Sequence, residues 1–304
     1  MDKPKGLSPH ASFVITRLQG GLGSQLFQYA AGRRLSLARG VPLLLDRSAA
    51  LDSGARPYAL DPFSIAEAFS APDARADFES RTVLQRMARR AQRRRLVTEP
   101  SPRFDPRVLE AGGRVYLDGY WRSARYFAGA EDTIRKDLAW KVAPASWSAE
   151  LVARVDAQAA VSVHVRRGDR VSDPRLAGRL GACPVSYYRR AWRLIRERVP
   201  EPWFLVFSDD PAWARAQLTF LEPAKFVSDP GHRPDHEDLW LMTRCRHHVI
   251  ANSAFSWWAA WLSGATDKTV VAPDRWFADR ACDGRDVVPP EWARLAVDER
   301  ALSG

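Results

Sequence analysis

Apolar residues recur along this chain with two alternating periods. Short β-branched, leucine-rich or aromatic runs at 12–18, 41–46, 115–117, 161–165, 203–207, 226–227, 247–251 and 269–272 read as strands. Between them, helical spacing predicts helices over 26–39, 150–156, 185–199, 239–244 and 252–262. The first buries Leu26, Phe27, Ala30, Ala31 and Leu35; the third carries Tyr187, Tyr188, Trp192 and Ile195 on its apolar side. Strand, turn, helix, strand opens the chain, and the same order repeats in its second half. That alternation predicts an α/β protein. The stretch 137–150, with Pro144 and several Ser and Ala, is the candidate boundary. The expectation is two Rossmann-like domains, 10–148 and 149–295, facing across a cleft.

Polar residues gather where these strands end, which is where α/β sheets bind ligands. The strand at 161–165 runs into Arg166, Arg167, Gly168 and Asp169. Two guanidiniums there suit a doubly charged anion, because their forks match phosphate oxygens; the plainer reading is a surface turn with Arg and Asp paired. The strand at 203–207 ends in Ser208, Asp209 and Asp210 before Pro211. These carboxylates either cap the next helix or accept hydrogen bonds from a base or ribose. Asn252, Ser253 and Ser256 open a helix that carries Trp257, Trp258 and Trp261. Such a helix start is a phosphate site or a simple cap. Near the N-terminus, QGGLGSQ at 19–25 is a glycine-rich turn feeding a helix. A dinucleotide fingerprint is disfavoured, since Gly21 and Gly23 fit but Leu26 stands where the third small residue belongs. Tyr120, Trp121, Tyr126 and Phe127 could floor a sugar site, although such clusters are more often core.

Composition narrows the choice. The net charge is +10 with 12 Trp, and the pI is near 9.9. An anionic substrate, an anionic membrane or nucleic acid would suit that balance. The arginine-rich run at 86–95 reads as a solvated helix face in preference to a peripheral membrane contact. It lacks aromatic interleaving, which argues against nucleic acid. Cys183, Cys245 and Cys282 show no zinc or disulfide spacing. His232 and His236 are separated by Pro234, which disrupts a helical metal pair, so no metal is expected. No apolar run of about 20 residues and no signal-peptide core is visible, which predicts a cytoplasmic protein, with peripheral attachment at the inner face of the membrane left open.

Five segments, GGLGSQLFQYAAGRRLSLARG, GYWRSARYF, HVRRGD, FSDDPAW and ANSAFSWWAAWL, occur in that order. Together they resemble the α-1,2-fucosyltransferases of glycosyltransferase family 11, from about Phe13 to Phe277. The resemblance implies a GT-B fold, GDP-fucose as donor, inversion at the fucose anomeric carbon, no cofactor or metal, and a galactose-containing glycan as acceptor. It implies that Arg166 holds the β-phosphate, with His164 and Arg167 supporting the loop. Asp209 would read the guanosine. Asn252, Ser253 and Phe255 would close over the diphosphate. Gly21, Gly23 and Gln25 would line the cleft from the other domain. Arg166, Asp169 and Gln25 are carried as catalytic candidates. No general base stands out; Asp169, Asp173 and Asp46 are candidates only.

Three positions depart from the family pattern. Ser24 stands where the family has Asn, Arg122 where it has Gln, and Arg170 where it has an aromatic residue. These departures leave the donor side better kept than the acceptor side, and the added charge points toward an acidic or unusual acceptor. Two other classes stay open: an NAD-dependent oxidoreductase, and a non-catalytic basic binding protein.

Overall fold

The computed structural model describes residues 11–52, 54–66, 68–79, 82, 87, 92–227 and 233–297. The chain divides into two compact units, residues 1–142 and 143–304.

The first unit is built on four parallel strands in the order β2-β1-β4-β3. They are β1 (Phe13–Arg17), β2 (Leu43–Asp46), β3 (Arg94–Thr98) and β4 (Arg114–Asp118). Helix α1 (Leu22–Arg39) connects β1 to β2 and ends at Gly40, which takes the left-handed φ of 59°. Gly32 is where α1 meets the sheet: a Cβ there would lie 2.9 Å from Leu43 Cδ1 and 3.0 Å from Thr16 Cβ. The helix starts at Leu22, earlier than the apolar period indicates. Ser24 and Gln25 donate their backbone N–H groups to the Gly21 carbonyl, so Gly23, Ser24 and Gln25 belong to the first turn.

Two expectations change here. The run at 86–95 is not a helix to its end: Arg93 turns at φ 51° and Arg94 begins β3, where Leu96 and Val97 pair with β4. Residues 86 and 88–91 lie outside the described residues. The aromatic cluster at 120–127 is mostly core, as its plainer reading held: Trp121, Tyr126 and Phe127 are buried, and Tyr120 is half-buried. Short helix α2 (Glu131–Asp137) completes the unit.

The second unit carries six parallel strands: β5 (Ala160–Val165), β6 (Trp203–Ser208), β7 (Ala224–Phe226), β8 (His247–Val249), β9 (Val270–Pro273) and β10 (Ala293–Leu295). Their order is β10-β9-β8-β5-β6-β7. Numbered within the unit and read from the β7 edge, that is 3-2-1-4-5-6, the dinucleotide-fold order. The short edge strand β10 gave no sequence signal. Every residue of β5 and β6 is buried, as parallel strands covered on both faces require. The helices are α3 (Ala149–Ala157), α4 (Gly168–Ser172), α5 (Pro174–Arg179), α6 (Val185–Arg198), α7 (Pro211–Gln217), α8 (Asp235–Arg244) and α9 (Ala254–Leu262). Tyr187 and Tyr188 of α6 are fully buried, and their hydroxyls donate to backbone carbonyls of Ile250 and His164, at 2.6 and 3.1 Å. Trp257 and Trp258 of α9 meet edge to face at 5.2 Å. No helix of the described residues is long and apolar enough to cross a membrane.

The sheet also buries imidazole. Ser162 Oγ on β5 lies 2.8 Å from His248 Nδ1 on β8. Burial, with Lys268 and His247 nearby, holds the His248 pKa well below its usual 6.5. The unfolded chain therefore takes up a proton near pH 6.5 that the fold refuses. Stability contributed by neutral His248 is full above that pH and is lost as pH falls below it. The melting temperature should drop between pH 7 and 5. The His248→Asn variant, which keeps a polar atom near the Nδ1 position, should show a shallower drop; equal slopes in a thermal melt series would refute the assignment.

Candidate active site

In a sheet of this order, ligands bind beyond the strand ends at the switch point between β5 and β8. Three loops meet there. The register pairs Val165 with Ser208, so Arg166 and Asp209 emerge side by side. Asp209 then does two things. Its Oδ1 accepts the Arg167 backbone N–H at 2.7 Å, and its Oδ2 pairs with an Arg166 guanidinium nitrogen at 2.9 Å. Asp169, three residues on in the first turn of α4, takes another Arg166 nitrogen at 2.8 Å. The guanidinium is thus held between two carboxylates, donating one N–H to Asp169 and lying in ion-pair contact with Asp209, and it keeps donors for a ligand. Gly168 makes this possible: a Cβ there would lie 2.7 Å from Asp209 Oδ2.

Arg167 lies with its guanidinium 4.0 Å from the centre of the Trp213 ring, and its Nε is 3.4 Å from Asp210. Asp210 also caps α7 by accepting the Trp213 N–H at 3.1 Å. The capping reading therefore holds for Asp210. Asp209 serves the arginine loop instead. Its carboxylate faces Arg166 and the Arg167 amide, so in this structure it sets the arginine loop rather than standing open to a base.

His164 is the buried penultimate residue of β5. Its ring sits 5.5 Å from that of Phe255. Burial first, and then the charges of Arg166 and Arg170, push its pKa down to about 3. It is neutral at any working pH, and its buried Nδ1 has no hydrogen-bond partner. An orphaned buried nitrogen this near the end of a strand fits a group yet to be bound.

The β8–α9 turn supplies the third loop. Ser253 is the N-cap of α9, yet its side chain makes no cap hydrogen bond. The first amides of a helix lack intrahelical partners, so this start offers N–H groups beside an uncommitted hydroxyl. Asn252 plays a different part from the one expected. Its amide nitrogen donates to the carbonyls of Leu180 at 2.8 Å and Trp276 at 3.0 Å. It ties two loops together and is buried. A cavity of about 790 Å³ opens beside it, lined by Gly181, Cys183, Arg275 and Phe277 among others.

The other sequence candidates have structural partners of their own or none of note. Asp173 caps α5 by accepting the Arg175 N–H at 2.9 Å. Arg170 is buried and donates to the Gly181 carbonyl at 3.2 Å. In the first unit, Asp46 is buried and accepts from Tyr116 Oη and the Ser48 N–H. Gln25 is 1% exposed. Its amide nitrogen donates to the Gly20 and Pro57 carbonyls, each at 2.8 Å, and its oxygen accepts from Ala59 at 2.9 Å. Its catalytic place gives way to a scaffold one, because both its amide donors already serve the backbone. Gly21 precedes α1 with open space where a Cβ would be, whereas Gly23 is buried in the helix. Among the described residues, no three His, Cys, Asp or Glu side chains gather where they could hold a metal ion.

Residues 8–296 match the family model described as Glycosyl transferase family 11. The chain is 30% identical over 298 residues to an alpha-1,2-colitosyltransferase of Escherichia coli, a match covering 93% of this chain and 99% of that protein. It is 39% identical over 119 residues to the Escherichia coli O-antigen biosynthesis glycosyltransferase WbnK, covering 38% of this chain and 39% of that one. Among solved structures, an Arabidopsis thaliana FUT1 variant in complex with GDP aligns with a TM-score of 0.53 at 14% identity, over 88% of this chain and 71% of that one. That last likeness bears on fold alone. The family model spans nearly the whole chain, both units are Rossmann-like, and the motif-bearing strand ends of the second unit come together. This chain belongs to glycosyltransferase family 11 and is a glycosyltransferase of GT-B fold.

Proposed function

We propose that the protein transfers L-fucose from GDP-fucose to a hydroxyl of a galactose-containing glycan, with inversion, without a metal, and with an α-1,2 linkage. The observation that carries this reading is the Arg166 guanidinium, held between Asp169 and Asp209 beside the uncapped start of α9. In the transfer step the acceptor oxygen forms a bond to the anomeric carbon. The bond from that carbon to the β-phosphate oxygen breaks, and GDP leaves with the electron pair. The hydroxyl proton passes to a base or to water. Negative charge therefore builds on the diphosphate. Arg166 and the α9 amides would meet it, and groups fixed in advance stabilise that charge more in the transition state than in the ground state. Arg167 and Ser253 would contact the phosphates. His164 and Phe255 would wall the pocket, with His164 neutral. Asp169 and Asp209 would act through Arg166, as would Asn252 through the loops it ties.

A second reading is favoured by the relation to the Escherichia coli colitosyltransferase. Colitose is fucose without its 3-hydroxyl, so GDP-colitose would present the same diphosphate to the same arginine. The two donors differ at a single hydroxyl, and assay of both with β-galactosides, followed by linkage analysis of the product, separates them.

Two outcomes test the site. Arg166→Ala should lower kcat/KM by about 100- to 1000-fold, the usual effect of removing one donor to a developing anion, while the melting temperature stays near that of the parent. Arg166→Lys should fall between, since it keeps the charge and loses the fork. Near-normal turnover by Arg166→Ala would sink the phosphate role. Transfer should also persist in excess EDTA; loss that a divalent ion restores would contradict the metal-free step.

A further inference from the structure

The first unit holds a strained loop that the donor chemistry does not use. Strands β3 and β4 end together, Thr98 against Asp118. Glu99 follows β3, and its two carboxylate oxygens accept the backbone N–H groups of Tyr120 at 2.7 Å and Trp121 at 3.0 Å. Between them, Gly119 leaves no room for a side chain: a Cβ would lie 2.5 Å from Glu99 Cβ and 2.8 Å from the Trp121 indole. Trp121 itself takes φ 55°, a left-handed conformation that bulky residues avoid. Its indole is fully buried and meets Tyr126 edge to face at 5.3 Å. Strain of this kind persists only where the surroundings over-determine it, and it gathers at functional loops.

The conformation has a visible result. With Trp121 turned into the core, its neighbours Tyr120 and Arg122 stay half-buried, and the Arg122 guanidinium lies 4.1 Å from the centre of the Tyr120 ring. The same ring lies against the β1–α1 turn, 3.6 Å from where a Gly20 Cβ would be, with Ser24 Oγ 3.4 Å from that point. An aromatic face with a polar tip, beside a hydroxyl at the ends of parallel strands, suits a sugar ring. Glu99 holds this arrangement although burial of its carboxylate raises its pKa against the pull of the two amides and Arg122.

We propose that Glu99 is a positioning residue for the acceptor: through the Tyr120 and Trp121 amides it fixes the Tyr120 ring beside the Gly20 turn, where a sugar ring of the acceptor glycan stacks. This rests on the glycosyl-transfer reading given above. Glu99 and Tyr120 both belong to the first unit.

The test is steady-state kinetics of Glu99→Gln with acceptor and donor varied separately. Glutamine keeps the size but turns one acceptor into a donor facing an N–H. The acceptor KM should rise roughly tenfold, as loss of a charge-assisted hydrogen bond implies. The donor KM and acceptor-free hydrolysis of the sugar nucleotide should stay within about twofold, well short of one such bond. Tyr120→Ala should act in the same direction and Tyr120→Phe should restore the parent acceptor KM, and this pair decides the matter if Glu99→Gln does not fold. An unchanged acceptor KM in Glu99→Gln or Tyr120→Ala, or equal losses toward donor and acceptor, would overturn the proposal. Wild-type protein that turns over neither GDP-fucose nor GDP-colitose would instead refute the reading on which it rests.

Discussion

The second unit's site depends on one ion-pair arrangement. Arg166 is fixed by Asp169 within its own loop and by Asp209 across a strand pair. A flexible arginine would lose conformational freedom on gripping a diphosphate; one already held loses less. The hold is set by register. Because Val165 pairs with Ser208, the residues that follow emerge level, and a slip of one position would move every side chain of β5 to the opposite face. Burial of β5 and β6 on both faces makes that slip costly. The apolar core of the second unit therefore specifies the polar site at its edge.

Much of this was legible beforehand for a physical reason. Parallel strands buried on both faces leave continuous apolar runs, and those at 161–165 and 203–207 were readable without ambiguity. The polar residues immediately after them could then be placed at strand ends. What sequence could not convey was which polar groups already serve the protein itself. Asn252 and Gln25 look like ligand contacts by type and position, yet their amides bind backbone carbonyls. Asp209 looks like a base reader and is turned instead to the arginine loop. Such partners are distant in sequence, so spacing carries no trace of them. Asp169 is the exception, since an Arg–Asp pair three residues apart is a local contact.

The first unit was harder to read. Strand β3 is short and only partly buried, and its leading arginines resemble a solvated helix face. The start of α1 was also displaced, because Gly and Ser in a first turn carry no apolar period although the backbone there is helical. Glu99 left no signal beyond its place after a strand. Its significance lies in what it bonds: two amides of a loop that bends through a buried tryptophan. The two units thus share a strategy. In each, a carboxylate at a strand end accepts backbone N–H from the neighbouring loop, one for Asp209 and two for Glu99, and the side chains that the loop displays follow from that.

The role proposed for the strand ends of the second unit is to bind a guanosine diphosphate. Calorimetric titration of the purified protein with GDP in EDTA, with UDP and NAD as controls, tests it most directly. Saturable binding of GDP, with UDP much weaker and NAD silent, is the predicted result. A folded sample that binds NAD, or that ignores GDP, would contradict it.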